Sequence, residues 1–428
     1  MIHFSPEDGL LIRVEETGAL LRRYILLKKA LTRIGAGWLP RLRTFKQKGD
    51  LARHIYLDAK AMESLANRLW ELSYGRREPF ADPSRLQPAL DRVARALDYP
   101  EFLVGDYLTV KAALAHAIRE HLERTDPIFD GPTIDVLKPI LERDEEQLVW
   151  ARDQLNGMML PAAVKGRLAD WERYIEQELA QAGGVSGAER PDPGYEAPVE
   201  FVDRPPYQLP DEITFDDMPT HSFDSDPGTV PPDYHMVYAY YQEIDIVDLI
   251  ATMIWDSPDD MPVAYYVDFC RQMWDEVRHT TMGIRRLHEL GIDLKNCGCP
   301  TGRYAAWRKM TLLERMGWLT QVGEACSLAG KRDHIKKYLS NGDVVSAAQI
   351  EYDIADESSH VRFGSKWIPE LLKKDSDPRT KGQVAKDGHR AFRMLTADLR
   401  RRLGMDVPDG YLAEFEGCED VRDPARSF

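Results

Sequence analysis

Long stretches of this chain repeat apolar residues every three or four positions and end at a Pro or a Gly. This spacing places the apolar side chains on one face of an α-helix, so the pattern predicts an all-α fold. A convincing strand pattern, in which apolar and polar residues alternate, is not found. The predicted helices cover residues 10–35, 49–75, 101–124, 132–181 with a break near Pro161, 233–256, 261–291, 303–330, 341–373 and 380–404.

Residues 183–232 differ from the rest of the chain. They contain ten prolines and many Asp and Gly residues with little periodicity, so they cannot form a regular helix. The pattern predicts either a linker or a long loop that covers one helical bundle. The aromatic residues of the segment indicate that it is anchored rather than free; they are Tyr195, Phe201, Tyr207, Phe215 and Phe223.

Two short stretches of the second half share the pattern Asp-Glu-x-x-His, at Asp275–His279 and at Asp356–His360. Chance supplies roughly 0.1 such patterns in a chain of this length, so finding two is informative. Glu and His three residues apart lie on one face of a helix. Paired Glu-x-x-His helices, with one further Glu from each of two other helices, form a carboxylate-bridged dimetal site in a four-helix bundle. The motifs therefore predict four metal ligands, which are Glu276, His279, Glu357 and His360.

Each motif needs one more carboxylate from a neighbouring helix. Glu324 lies 33 residues before Glu357 among apolar residues, where a lone carboxylate would be costly unless it binds a metal. Glu243 lies 33 residues before Glu276, and this equal spacing suits two antiparallel helix pairs. Asp245 and Asp248 are competing candidates, ranked after Glu243 in that order.

Three aspartates beside the motifs have predicted supporting roles. Asp275 and Asp356 could each accept a hydrogen bond from the non-ligating ring nitrogen of the His on the opposite helix, which would fix its tautomer. Asp353 lies one turn before Glu357 on the same helix face. It could support a ligand, bind the metal itself, or be solvated, and the sequence leaves these three alternatives open.

The predicted ligands also indicate which metals fit. Four carboxylates bring four negative charges, and two divalent ions bring four positive ones, so the filled site is neutral and a bundle core can tolerate it. Mixed oxygen and imidazole ligands suit Fe or Mn, whereas a structural zinc site more often uses Cys. We therefore expect two Fe ions, with a mixed Mn/Fe pair as an alternative.

The two halves of the chain align as a diverged repeat. Asp58 aligns with Asp275 at an offset of 217 residues, and the stretch around Glu145 aligns with that around Glu357 at an offset of 212. In this alignment the first half replaces ligands with Ala59, Met62 and Leu148. The first half is therefore predicted to bind no dimetal centre.

Composition and charge narrow the functional classes. The net charge of −15 argues against general binding of nucleic acid or of an anionic membrane. Five cysteines do not suggest a disulfide framework, and neither a signal peptide nor a long apolar run is present. A cytoplasmic protein without a nucleic-acid or membrane partner is the expectation.

From Glu243 to His360 the chain resembles the ferritin-like di-iron carboxylate superfamily, in particular its oxygenase and oxidase branch. The stretches Met253–Ser257, Asp275–Thr280 and Gly323–Cys326 are similar to hydroxylase subunits of bacterial multicomponent monooxygenases. The resemblance implies two tandem ferritin-like four-helix bundles, of which the second carries the dimetal site. The implied regions are a degenerate bundle at 1–182, the Pro-rich segment at 183–232, the catalytic bundle at 233–373, and a C-terminal helix and tail at 374–428.

The chain also departs from known branches of that superfamily. The monooxygenases place a Thr at the position of Leu328, and ribonucleotide reductase small subunits place a radical Tyr at that of Gly283. The p-aminobenzoate N-oxygenase type has an added His where this chain has Asp353. We therefore expect neither the proton relay proposed for that Thr nor the tyrosyl radical in this chain.

The resemblance implies an enzyme that uses O2 to hydroxylate, desaturate or N-oxygenate a small organic substrate. No Gly-x-Gly-x-x-Gly stretch or Cys-rich cluster indicates an internal redox cofactor, so electrons are expected from a separate reductase, a ferredoxin or the substrate. A ferroxidase or iron-handling protein is one alternative, and a helical protein with a structural metal is another.

Overall fold

The computed structural model describes residues 11–72, 83–221 and 230–413, and this part of the chain is predominantly helical. Its only strands in the described residues are a two-residue parallel pair, β1 (Thr220–His221) with β2 (Cys299–Pro300). The α-helices are α1 (Val14–Trp38), α2 (Phe45–Glu71), α3 (Pro83–Val93), α4 (Tyr99–Phe102), α5 (Ala112–Arg124), α6 (Gly131–Asn156), α7 (Ala162–Gln181), α8 (Val199–Val202), α9 (His235–Tyr241), α10 (Ile244–Trp255), α11 (Val263–Glu289), α12 (Gly302–Trp307), α13 (Leu312–Trp318), α14 (Glu324–Ser340), α15 (Val344–Lys374) and α16 (Lys381–Arg402).

The all-α prediction is confirmed, and several predicted helices are interrupted in the structure. The break near Pro161 separates α6 from α7, and a turn at Gln242–Glu243 separates α9 from α10. Helix α3 was not predicted. Phe223 and the ends of the predicted regions at 73–75 and 414–428 lie outside the described residues.

The chain divides into two compact units. The first unit comprises the described parts of Met1–Trp38, His54–Gln208 and Pro262–Val267, and the second unit comprises those of Leu39–Arg53, Leu209–Met261 and Asp268–Phe428. These bounds differ from the predicted regions, because Leu39–Arg53 belongs to the second unit. The Pro-rich segment is likewise divided, at Gln208.

The Pro-rich segment is held by contacts within each unit. In the first unit Phe201 is buried, and the Tyr207 hydroxyl donates a hydrogen bond to the carbonyl of Gly37 at 2.6 Å. In the second unit Phe215 is buried, and the Tyr304 hydroxyl donates to the carbonyl of Pro210 at 3.0 Å. Burial of such side chains offsets the conformational entropy lost when an irregular segment is ordered.

The first unit contains a buried cluster of opposite charges. The Lys28 ammonium contacts both Asp58 and Asp144, and the Lys111 ammonium contacts Asp58 at 2.8 Å and the amide oxygen of Gln147. All of these side chains are almost fully buried. Two ammonium groups thus face two carboxylates, which satisfies charges that would otherwise be costly in a core.

A π-helical segment interrupts a long helical region in each unit. In the first unit it spans Leu103–Lys111, between α4 and α5, and in the second unit it spans Leu319–Gly323, between α13 and α14. Such segments are rare and are often found at functional sites. Each ends at or next to a buried charged residue, Lys111 or Glu324.

Two glycines allow close approach of elements around the second unit's core. A Cβ at Gly283 of α11 would lie 2.4 Å from the backbone nitrogen of Tyr241, and one at Gly364 of α15 would lie 1.8 Å from the Thr320 hydroxyl oxygen. Side chains at these positions would force the elements apart. Gly283 therefore brings α9 against α11, and Gly364 brings the π-helical segment against α15.

Within the residues that the structure describes, no helix combines enough length and apolar character to cross a lipid bilayer.

Candidate metal centre

The six predicted ligands of the second half meet in the core of the second unit. Glu243 lies in the turn just before α10, and Glu324 is the first residue of α14, directly after the π-helical segment. The remaining four come from the two Asp-Glu-x-x-His stretches, Glu276 and His279 on α11 and Glu357 and His360 on α15.

Together with Asp353, these six side chains form two groups, and within each group the ligand atoms all lie within 4.8 Å of one another. We refer to Glu243, His279, Asp353 and Glu357 as subsite 1, and to Glu276, Glu324 and His360 as subsite 2. Every member except Glu243 is buried, and Glu243 retains 17% exposure of its side chain. Asp353 is fully buried, so its solvated alternative is wrong.

The Glu276 carboxylate lies between the two subsites. Its Oε2 is 3.4 Å from Nδ1 of His279, and its Oε1 is 3.4 Å from Nδ1 of His360. Nδ1 of His279 is also 3.1 Å from Glu243, and Nδ1 of His360 is 3.4 Å from Glu324. The two oxygens of Glu276 thus lie beside one histidine from each subsite, so Glu276 would help to hold ions in both.

Each histidine directs its other ring nitrogen to an aspartate on the opposite helix. His279 Nε2 lies 3.4 Å from Asp356, and His360 Nε2 lies 3.3 Å from Asp275. If Nε2 carries the proton and donates it, Nδ1 keeps its lone pair toward the cluster. This is the crossed arrangement that the sequence analysis expected for Asp275 and Asp356.

Two arginines hold these aspartates in place. Arg278 contacts Asp275 at 2.5 Å and Asp356 at 2.9 Å, while Arg271 contacts them at 2.7 and 3.3 Å. Although burial opposes the charge, the hydrogen bond from His279 and the charge of Arg278 lower the pKa of Asp356 to about 2. The aspartates thus remain ionised acceptors for the histidines. Both arginines lie three or four residues from Asp275, a helical spacing that could have revealed them.

Lys331 of α14 is a member of the cluster that the sequence analysis missed. Its ammonium lies 2.7 Å from Asp353 and 2.6 Å from Glu357, and its side chain is only 4% exposed. Burial would lower the pKa of Lys331, but the charges of Glu357 and Asp353 outweigh it and raise the pKa. The Tyr240 hydroxyl also donates to Asp353, at 2.9 Å.

Neutral side chains also contact two of the carboxylates, Glu324 and Glu357. The Gln272 amide donates to Glu324 at 2.6 Å, and the Ser327 hydroxyl donates to Glu357 at 3.0 Å. Such contacts to ligands fix carboxylate orientation. Ser327 directly precedes Leu328, the position at which the similar monooxygenases have a Thr.

The two competing aspartates bind cations elsewhere. Asp245 pairs with Arg303 at 2.6 Å, and Asp248 pairs with the buried Lys48 at 2.6 Å. Neither belongs to the two groups of potential ligands found in the described residues. Of the three candidates before α11, Glu243 alone reaches the cluster.

Several buried atoms of the cluster lack a partner with hydrogen-bond geometry, which is unusual because buried polar atoms are normally satisfied. These atoms are Glu243 Oε2, Glu276 Oε1, His279 Nδ1, Glu324 Oε2, Asp353 Oδ1 and His360 Nδ1. All are oxygen or imidazole donors that divalent metals accept. The unsatisfied atoms of these residues therefore fit a metal centre.

Protons are strongly held in the metal-free cluster. Burial raises the pKa of Glu276 to about 8 and that of Glu324 to about 7. Burial disfavours the charged form of His360, but Glu324 and Asp275 outweigh it and raise its pKa to about 10. A cluster that takes up protons at carboxylates and imidazoles would exchange them for cations when a metal binds.

A cavity of about 360 Å³ adjoins the cluster. Glu243, Glu276, Glu324 and Glu357 line one part of it, and the remainder is lined mainly by Met236, Ala239, Ile246, Trp318 and Leu319, with Asp245, Arg303 and Lys331 as further charged residues. Its volume is in the range of small-molecule sites. The carboxylates are thus reachable from a space that can hold a compact organic molecule.

Residues 197–406 match the model of a family described as "Protein of unknown function (DUF455)". The matched range is a little under half of the chain, and it contains every residue of both subsites. Over this range the chain is similar to that family, whose description assigns no activity. Comparisons with curated proteins and with solved structures gave no match.

Proposed function

We propose that the second unit is a ferritin-like four-helix bundle that holds two iron ions and uses O2 to oxidise a small organic substrate. Helices α10, α11, α14 and α15 would form the bundle, and subsites 1 and 2 would each bind one ion. The observation that carries the proposal is the convergence of six unsatisfied oxygen and imidazole atoms in the two subsites, one of them from the Glu276 carboxylate. The first unit would be a diverged copy in which Lys28 and Lys111 supply the positive charges.

The charge of the cluster supports two divalent ions. Five carboxylates, those of the two subsites including Asp353, carry five negative charges, and Lys331 contributes one positive charge. The difference equals the charge of two divalent ions, so the filled centre would be neutral in a buried position. Lys331 thus compensates for the additional carboxylate of Asp353.

The ligand types favour iron or manganese. Both subsites are rich in carboxylate oxygen and contain one imidazole each, with no thiolate among their members. Structural zinc sites more often use Cys, whereas carboxylate and imidazole sites suit Fe and Mn. Two iron ions at this position would supply the reduction of O2, with electrons from an external reductase or ferredoxin.

The chain's own residues would orient the centre and the substrate. Asp275 and Asp356 hold the histidine tautomers, and Gln272 and Ser327 hold the carboxylates of Glu324 and Glu357. The cavity would bind the substrate beside the ligands and limit the access of water. Hydroxylation, desaturation and N-oxygenation all remain compatible with this arrangement.

Two other functions were considered from the sequence, an iron-handling protein and a protein with a structural metal. The cavity argues against a structural metal, whereas iron handling is separated from the enzyme by the stoichiometry of iron binding. Structural metal sites are closed, whereas catalytic sites keep access for a substrate, and here four carboxylates of the cluster line a cavity of about 360 Å³. We therefore favour the oxidative enzyme.

The proposal is tested by anaerobic titration of the metal-free protein with ferrous iron, followed by rapid mixing with O2. We expect about two irons to bind per chain. On mixing with O2 the bound iron should oxidise rapidly, and absorption and Mössbauer spectroscopy monitor this oxidation. Glu276→Ala and His360→Ala should bind little iron. Glu145→Ala, at the exposed position aligned with Glu357, should bind iron as the original chain does.

The outcomes separate the alternatives. Stoichiometric iron that does not react with O2 would favour a structural site. Iron binding well above two per chain would favour iron handling, and the absence of iron binding would contradict the proposal.

A further inference from the structure

Arg303 stands out among the residues that line the cavity. The other cation of the lining, Lys331, is already engaged by Asp353 and Glu357. Arg303, in contrast, makes its single ion pair through Nε, which lies 2.6 Å from Asp245. No further ion pair or hydrogen bond joins the Arg303 side chain to the described residues, and 26% of that side chain is exposed.

Asp245 forms an ion pair with this guanidinium. Asp245 is completely buried at the start of α10, two residues after Glu243. The Arg303 guanidinium also lies 6.0 Å from the ring centroid of Trp307 on the same helix. With Nε engaged, the two terminal nitrogens remain available as a fork, the geometry that binds a carboxylate through two parallel hydrogen bonds.

The lining of the cavity combines apolar and charged side chains. Met236, Ile246 and Leu319 contribute apolar surface, and Trp318 contributes an aromatic ring. Glu276 and Glu324 mark the part that adjoins subsite 2. A molecule that fills the cavity therefore meets one guanidinium, an apolar wall and the proposed metal centre.

We propose that the substrate is a small organic acid whose carboxylate is bound by Arg303. Its apolar body would lie along Ile246 and Trp318, and the atom to be oxidised would face Glu276 and Glu324. This inference rests on the proposed function for the oxidation, but the binding of a carboxylate to Arg303 requires neither metal nor O2. Arg303 is therefore assigned as the residue that selects an acidic substrate.

The experiment measures binding of acetate, butyrate, hexanoate and benzoate, each with its primary amide, by ligand-observed NMR. The full chain is used both metal-free and loaded with Mn²⁺. At least one acid should bind about tenfold or more tightly than its amide, because a bidentate contact with a charged group is lost in the amide. Arg303→Gln should weaken acid binding about tenfold or more and leave amide binding unchanged.

Two further variants control this test. Arg303→Lys keeps the charge beside the buried Asp245, so we expect it to fold. It should still weaken acid binding, because the planar fork of the guanidinium is lost. Arg308→Gln removes an arginine that pairs with Asp256 and does not line the cavity, so it should leave acid binding unchanged. Thermal unfolding of each variant verifies that it is folded.

Equal binding of acid and amide throughout the series would overturn the inference. It would also be overturned if the preference for acids survived Arg303→Gln. A preference that appears only with Mn²⁺ and is insensitive to Arg303 would show that the carboxylate binds the metal instead. The iron titration could fail while the metal-free chain still prefers acids over amides in a way that depends on Arg303. That result would contradict the oxidative function but not the binding of a carboxylate to Arg303.

Discussion

The buried ammonium of Lys331 gives a quantitative prediction for the metal-free protein. Lys331→Met keeps a side chain of similar length and removes the charge that lies within 2.7 Å of Asp353 and 2.6 Å of Glu357. Breaking a buried ion pair typically costs about 3–5 kcal/mol, because the remaining charge is left without compensation. Hydrogen bonds from Tyr240 to Asp353 and from Ser327 to Glu357 persist. We therefore expect a loss at the lower end, about 3 kcal/mol.

The assay is thermal unfolding of chelator-treated protein, in which a loss of this size lowers Tm by about 6–12 °C for a unit of this size. Lys366→Met is the matched control. Lys366 pairs with Asp268 at 2.8 Å but is 51% exposed, and such surface pairs contribute about 0–1 kcal/mol. If Lys331→Met lowered Tm no more than Lys366→Met, the ammonium would not be compensating buried carboxylates, and the charge reasoning for the filled centre would fail.

Three further predictions follow from the charges of the two units. Because burial raises the pKa of Glu276 to about 8, the folded metal-free protein retains a proton that the unfolded chain releases above a pKa of 4.5. The contribution of Glu276 to stability is therefore complete below about pH 4.5 and is lost as pH rises toward about 8, by roughly 1.4 kcal/mol per pH unit. Glu276→Gln should remove this pH dependence of the free energy of unfolding, as measured by urea unfolding across this range. Lys28→Met should destabilise the first unit by about 3–5 kcal/mol, because Asp144 and its neighbour Asp58 lose their shared cation, yet calorimetric iron titration should still give the original stoichiometry. Glu145→Ala should change stability by no more than about 0.5 kcal/mol in thermal unfolding, because Glu145 is half exposed; a larger loss would contradict its placement at the surface.

The sequence predicted the helical class and the shared helix face of Glu and His in each motif, because both depend on local periodicity. Glu and His three residues apart share a helix face wherever the helix packs. The choice among Glu243, Asp245 and Asp248 needed the structure. Spacing along the chain ranked them, but the turn that ends α9 just before α10 decides which of the three carboxylates points into the cluster.

Other features could not be read from the sequence because they depend on tertiary burial. Lys331 begins the stretch Lys331–Lys337, in which every residue except Ile335 is polar or charged, a composition typical of a solvated helix face. In the structure Arg332 and Lys336 are exposed, and only Lys331 turns inward toward Asp353. Helix α3 was missed for a different reason, since two prolines in eleven residues argue against a helix.

The buried cluster of opposite charges in the first unit and the proposed metal centre in the second obtain their cations from different sources. In the first unit the cations that balance Asp58 and Asp144 are parts of the polypeptide, so they are present in every copy as soon as it is synthesised. The proposed counter-ions of the second unit must instead be acquired from the cell. Scarcity of metal would therefore alter one unit and leave the core of the other intact, because the gene itself encodes the latter's positive charges.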